Sequence, residues 1–100
     1  MRQLILSPKA IVDIREARQW YERQRKGLGE TFAQSIEDVL QSVLRRPLSY
    51  PETAPSFRRA LVPRYPYRFL FSVDQDSVVI VLLIHTARDP AVALNRLRSH

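Results

Sequence analysis

Hydrophobic residues recur at two spacings along this chain, and the switch between them divides it. Gln3–Leu6 reads as a short opening strand. Ser7 is a good helix N-cap and Pro8 suits the first helical position. A helix is predicted from Pro8 to about Gln24, with Ala10, Ile11, Ile14, Ala17 and Tyr21 at spacings of three and four and Trp20 beside that stripe. Gly27-Leu28-Gly29 breaks the chain. A second helix is predicted from about Leu28 to Arg46, with a cleaner stripe of Leu28, Phe32, Ile36, Val39, Leu40, Val43 and Leu44. Arg45 and Arg46 fall in its last turn, where cations suit the helix dipole. Two amphipathic helices joined by a tight break make an antiparallel hairpin.

Beyond Pro47 the period shortens. Pro47 to Ser56 holds three prolines and reads as a surface loop. Phe57–Val62 is a predicted strand, Pro63 interrupts, and a strand follows from about Tyr67 to Val73. There Tyr67, Phe69, Phe71 and Val73 share one face, and Arg68, Leu70 and Ser72 the other. Asp74-Gln75-Asp76-Ser77 is a turn. Val78–Ile84 is a strand, and Asp89 caps a last helix from Pro90. The order β-α-α-β-β-β-α predicts an α+β fold over residues 1–100, one domain, with the helical hairpin covering one face of a small antiparallel sheet. Val78–Ile84 is apolar at every position, the pattern of a strand buried on both sides. The hairpin covers one side. Either the short last helix completes the other, or an apolar patch stays open for a protein partner.

Charge sharpens this picture. The net charge is +6. Met1 to Leu44 carries a net +1, Arg45 to Leu70 carries +5, and Phe71 to His100 is neutral. Such a concentrated basic segment points to a polyanionic partner, nucleic acid or acidic protein, against the plainer reading of a solvated surface. Fourteen of the sixteen cations are arginine, which forks onto phosphate or carboxylate and stacks on aromatics.

Other chemistry is narrowed by composition. The chain has no cysteine and only His85 and His100, so no His/Cys metal site and no cofactor is expected. Ser7-Pro8 interrupts the opening apolar run, so no secretory signal is read there. The seven-residue apolar run is far short of the ~20 residues that span a bilayer. A soluble cytoplasmic protein is expected. Gly27 and Gly29 are the only glycines, and no phosphate-cradling loop is present. The acids Asp13, Glu16, Glu22, Glu37 and Asp38 sit among cations at helical spacing and read as solvated faces. What remains is Arg58, Arg59, Arg64, Tyr65, Tyr67, Arg68, His85 and Arg88. A metal-independent endonuclease needs a base, an acid and cations around phosphorus. His85 fits the base or acid, or is a plain strand-end histidine. Arg88 fits a phosphate contact, or a helix-terminus or Asp89 contact. Tyr67, Phe69 and Phe71 read as core rather than a base-stacking platform.

These residues resemble the RelE/ParE superfamily of toxins from bacterial type II toxin–antitoxin, or plasmid stabilisation, modules. The resemblance runs through Ser7-Pro8 with Asp13, Ala17, Trp20-Tyr21-Glu22 and Gly27-Leu28-Gly29 leading to Phe32. It continues through Pro47, Tyr50-Pro51, Arg58-Arg59, Arg64-Tyr65-Pro66-Tyr67, the apolar strand, His85 and Arg88-Asp89-Pro90. It implies a helical hairpin on a curved antiparallel sheet, and an antitoxin that wraps the toxin and meets operator DNA on its behalf. Val79, Val81, Leu83 and Leu70 are the positions expected to meet that antitoxin. RelE-like members cut mRNA on the ribosome with a Lys/Arg cluster and a C-terminal tyrosine or His-Tyr pair; ParE-like members inhibit DNA gyrase. Here the last tyrosine is Tyr67 and neither lysine lies in the sheet region. The departures favour the ParE-like, non-enzymatic side, with Arg58, Arg59, Arg64, Tyr65, Arg68 and Arg88 as target contacts. The alternatives are an mRNA interferase using His85, Arg59, Arg68 and Arg88, and a non-toxic remnant that only binds its antitoxin.

Overall fold

The computed structural model describes residues 1–87. The expected last helix from Pro90, and Arg88, lie outside the described residues. The elements are β1 (Gln3–Leu6), α1 (Pro8–Gln24), α2 (Leu28–Arg45), β2 (Glu52–Ala54), β3 (Phe57–Leu61), β4 (Tyr67–Val73) and β5 (Ser77–His85). They form an α+β fold with one five-stranded sheet in the order β1-β5-β4-β3-β2. β1 runs parallel to β5, and the other neighbours are antiparallel.

Local chemistry sets most boundaries. The Ser7 hydroxyl accepts the Ala10 N–H at 3.0 Å and starts α1. Gly27 takes a left-handed φ of 94° between the helices, a region open to glycine. Asp74 closes the β4–β5 turn by accepting the N–H groups of Asp76 (2.9 Å) and Ser77 (2.7 Å). The predicted loop at Pro47–Ser56 is more ordered than its prolines implied. It holds a 3-10 turn at Pro47–Ser49 and the edge strand β2, whose flank is fixed by the Arg59 N–H donating to the Pro51 carbonyl at 3.1 Å.

The core lies between the hairpin and one face of the sheet. Phe32, Ile36, Val39, Leu40 and Val43 of α2 and Ala10 and Ala17 of α1 pack on Ala60, Val62, Phe69, Phe71, Val78, Ile80 and Leu83. Ile11, placed in the α1 stripe, is exposed instead, because the narrow buried seam of α1 runs through the small residues Ala10 and Ala17. Small residues there let the helix sit close to β5.

Two acids expected on solvated faces are structural. Glu22, near the end of α1, accepts the N–H of Gly27 at 3.1 Å and of Gly29 at 2.9 Å. It thereby caps α2 from the other arm of the hairpin. Those bonds, Gly27's first and then Gly29's, hold its carboxyl below the usual carboxylate range. A Cβ on Gly29 would stand 2.9 Å from Glu22 Oε1 and 3.1 Å from the Arg18 carbonyl, so glycine here permits the close helix approach. Asp13 accepts the Leu83 N–H at 3.0 Å, and the Ser7 hydroxyl donates to the Val81 carbonyl at 2.5 Å. β1 ends at Leu6, opposite Ile80. Past that point Ser7 and Asp13 replace the missing strand and satisfy the open edge of β5.

Candidate partner interface on the outer sheet face

Side-chain direction in the sheet is decided by a bulge. Leu70 pairs with Leu82, yet Phe71 pairs with Ile80, so Val81 is an extra residue in β5. Uninterrupted alternation would put Val79, Val81 and Leu83 on one face. The bulge sends Leu83 to the helix side, where it pairs with Phe69 and is 6% exposed. Of the four positions expected to meet a partner, Leu83 is therefore part of the core. Val79 and Leu70 face away from the helices, and Val81 is half-buried at the bulge. Leu82 and Ile84, which strict alternation had hidden, join the outer face through their pairing with Leu70 and Arg68.

The arginines divide in the same way. Arg58 points to the helix side, opposite Phe71. Its guanidinium donates to the Tyr50 carbonyl at 2.5 Å and lies 3.3 Å from Glu52. Arg58 thus ties the Pro47–Pro51 turn to the sheet and is not a free target contact. Arg59 pairs with Leu70, and Arg68 with Leu61 and Ile84, so both stand on the outer face. Arg68 Nε is buried with no hydrogen-bond acceptor among the described residues. The outer face thus carries two half-buried guanidinium groups among Ile5, Leu61, Leu70, Val79, Leu82 and Ile84. Ile5 and Leu61 are exposed, 42% and 56%. Leu70 is 2% exposed although it lies outside the core cluster.

Arg64 and Tyr65 belong to the β3–β4 loop. The Tyr65 N–H donates to the Val62 carbonyl at 3.2 Å, with Pro63 and Arg64 between them. Arg64 has a φ of 73°, the left-handed position of a type II turn that glycine usually fills. This strained turn keeps Arg64 exposed. Tyr65 turns inward, edge-on to Tyr21 and Phe32 at 5.2 and 5.0 Å between centroids. Tyr21 in turn stacks on Phe32 at 5.0 Å. Burial raises the Tyr21 phenol above its ordinary pKa, with smaller contributions from Tyr67 and Tyr65, and burial likewise raises Tyr67. This aromatic end is a packed cluster rather than a base-stacking platform, although Trp20 on its rim is 48% exposed.

His85 is exposed at the end of β5 and lies edge-on to Tyr67 at 5.3 Å. Its Nδ1 accepts the Ala87 N–H at 3.2 Å, which leaves the proton of the neutral ring on Nε2. By register it shares the helix-side face with Tyr67, whereas Arg59 and Arg68 occupy the other face. Of the residues assigned to phosphate chemistry, His85 therefore stands apart from Arg59 and Arg68, and Arg88 lies outside the described residues. Among the described residues no group of three His, Cys, Asp or Glu side chains is placed to hold a metal, and no helix is long and apolar enough to cross a membrane.

A strand, a helical hairpin capped across its break and a mostly antiparallel sheet define a toxin-like α+β fold. Residues 4–90 match the family described as the ParE toxin of type II toxin–antitoxin systems, parDE, and the chain belongs to that family. The fold is similar to a solved chain described as the chromosomal ParDE TA system from P. aeruginosa. The TM-score is 0.66 at 19% identity, covering 85% of this chain and 96% of that one. No curated protein matches.

Proposed function

We propose that this chain is a ParE-like toxin that inhibits DNA gyrase by binding it and is neutralised by a cognate antitoxin. The family match over residues 4–90 carries this reading. The outer sheet face is where the antitoxin fits: it combines exposed apolar side chains with the half-buried cations Arg59 and Arg68. Arg64, held outward by its turn, is the leading target contact.

The placement of His85 favours binding over cleavage. A nuclease site needs its base and its cations around one phosphate. Here the histidine and the arginine pair stand on opposite sides of the sheet. The test is induced expression followed by assays of the purified protein. Growth arrest, blocked gyrase supercoiling and intact mRNA on translating ribosomes are expected. His85→Ala is expected to remain toxic. Cleaved mRNA with unaffected supercoiling, or loss of toxicity in a folded His85→Ala variant, overturns the reading. Absence of growth arrest points to a remnant that only binds its antitoxin.

A further inference from the structure

Arg68 Nε is a buried side-chain donor on the sheet with no hydrogen-bond acceptor among the described residues. Among the described residues the arginine ion pairs are Arg18–Glu30 and Arg58–Glu52, and neither reaches the outer face. A buried guanidinium N–H left unpaired is costly, and folded proteins rarely keep one without a use for it. The side chain as a whole is only half-buried. A small rotation therefore presents its Nε–Nη edge to an incoming group.

Its surroundings say what that group is. Leu61 and Ile84 flank Arg68 across the strands, Leu70 follows two residues along, and Arg59 lies diagonally beyond, opposite Leu70. A nucleic-acid backbone would need a row of solvated cations, whereas here two cations are set in an apolar field. That field suits the side chains of a protein segment. A guanidinium edge suits the two oxygens of a carboxylate.

We propose that Arg68, with Arg59 beside it, is a carboxylate receptor: an acidic, apolar-rich segment of a partner protein lies across the outer sheet face and sets one Asp or Glu carboxylate on the Arg68 guanidinium. That the partner is an antitoxin rests on the reading above; the carboxylate chemistry rests on this chain alone.

The test uses the full chain and synthetic probes. A short fluorescein-labelled peptide of leucine and glutamate is titrated by anisotropy against its leucine–glutamine counterpart and against labelled oligothymidylate. The proteins are wild type, Arg68→Met and Arg59→Met. The glutamate peptide is expected to bind wild type about tenfold or more tightly than the glutamine peptide. Arg68→Met is expected to erase that preference and Arg59→Met to reduce it. Arg68→Met is also expected to melt at or above the wild-type temperature, because it removes an unsatisfied donor while keeping the apolar stem. Absent binding or equal binding of the two peptides overturns the proposal. So does a lower melting temperature of Arg68→Met, which marks a structural arginine. Preferential binding of oligothymidylate that is lost in Arg68→Met assigns the face to phosphate instead. If the chain causes no growth arrest but the peptide result holds, the toxin reading fails and the receptor stands. If an antitoxin neutralises the chain equally with or without Arg68, only the receptor fails.

Discussion

On the helix side of the sheet, Phe69, Phe71, Val78, Ile80 and Leu83 are buried against α1 and α2, and the polar groups beside them have partners within the chain. Asp13 takes the Leu83 N–H, Ser7 takes the Val81 carbonyl, and Arg58 is tied to Tyr50 and Glu52. On the other side the sheet presents Leu61, Leu82, Ile84 and two arginines, one with a buried donor that has no acceptor among the described residues. Neighbouring residues such as Arg58 and Arg59 are therefore not equivalent cations. One ties the Pro47–Pro51 turn to the sheet, and the other makes no side-chain hydrogen bond or ion pair among the described residues.

The largest effect that can break this comparison is a matched pair of truncations. Phe69 is fully buried and Leu61 is 56% exposed, yet they stand on adjacent strands. Phe69→Ala is expected to cost about 3–5 kcal/mol, from lost transfer energy and an unfilled cavity. In a small domain that approaches the whole stability. Leu61→Ala is expected to stay within about 0.5 kcal/mol. Urea unfolding monitored by circular dichroism measures both. Similar losses for the two would mean that the outer face is part of the core.

A middle-sized effect comes from Asp13. Replacing it by alanine leaves the Leu83 N–H without its acceptor at the bulge, an expected cost of about 1–3 kcal/mol. Amide exchange at Leu83 should quicken in the same variant. Asp13→Asn keeps an acceptor oxygen and should recover much of the loss. An unchanged Asp13→Ala melt would show that water serves the β5 edge equally well.

Element boundaries were legible where the signal is local. Ser7-Pro8, Gly27 and Asp74 each act on backbone within a few residues, and each marks the boundary it was read to mark. The edge strand β2 was hidden because its pairing depends on the distant flank of β3. The bulge at Val81 was hidden for a different reason: every residue from Val78 to Ile84 is apolar, so no alternation reports which face each one takes. Strict alternation therefore puts Leu83 on the outer side and Leu82 and Ile84 on the helix side, and the observed register reverses all three. Asp13 and Glu22 looked like solvated acids because their cation neighbours are visible along the helix. The N–H groups they cap lie on other elements. A run of apolar residues beside a strand that stops short is the signal that points to an acid such as Asp13.

The smallest effect is a pH dependence that separates the two faces. Glu22 is held below the ordinary carboxylate range by the N–H groups of Gly27 and Gly29. Asp74 is held below it by those of Asp76 and Ser77, with the Ser77 hydroxyl adding to them. In each case the folded chain prefers the charged form more than the unfolded chain does. The stabilisation is therefore complete above the ordinary carboxylate pKa, roughly 4, and is lost as pH falls through the lower folded values. Both groups are solvent-exposed, so the effect is modest. Melting temperature should decline as pH is lowered from about 5 towards 3. Glu22→Gln and Asp74→Asn should each melt lower at neutral pH and show a shallower decline. A loss of acidic-peptide binding at a pH where the fold still holds is then assigned to the peptide's own carboxylates, the groups the outer face is proposed to read.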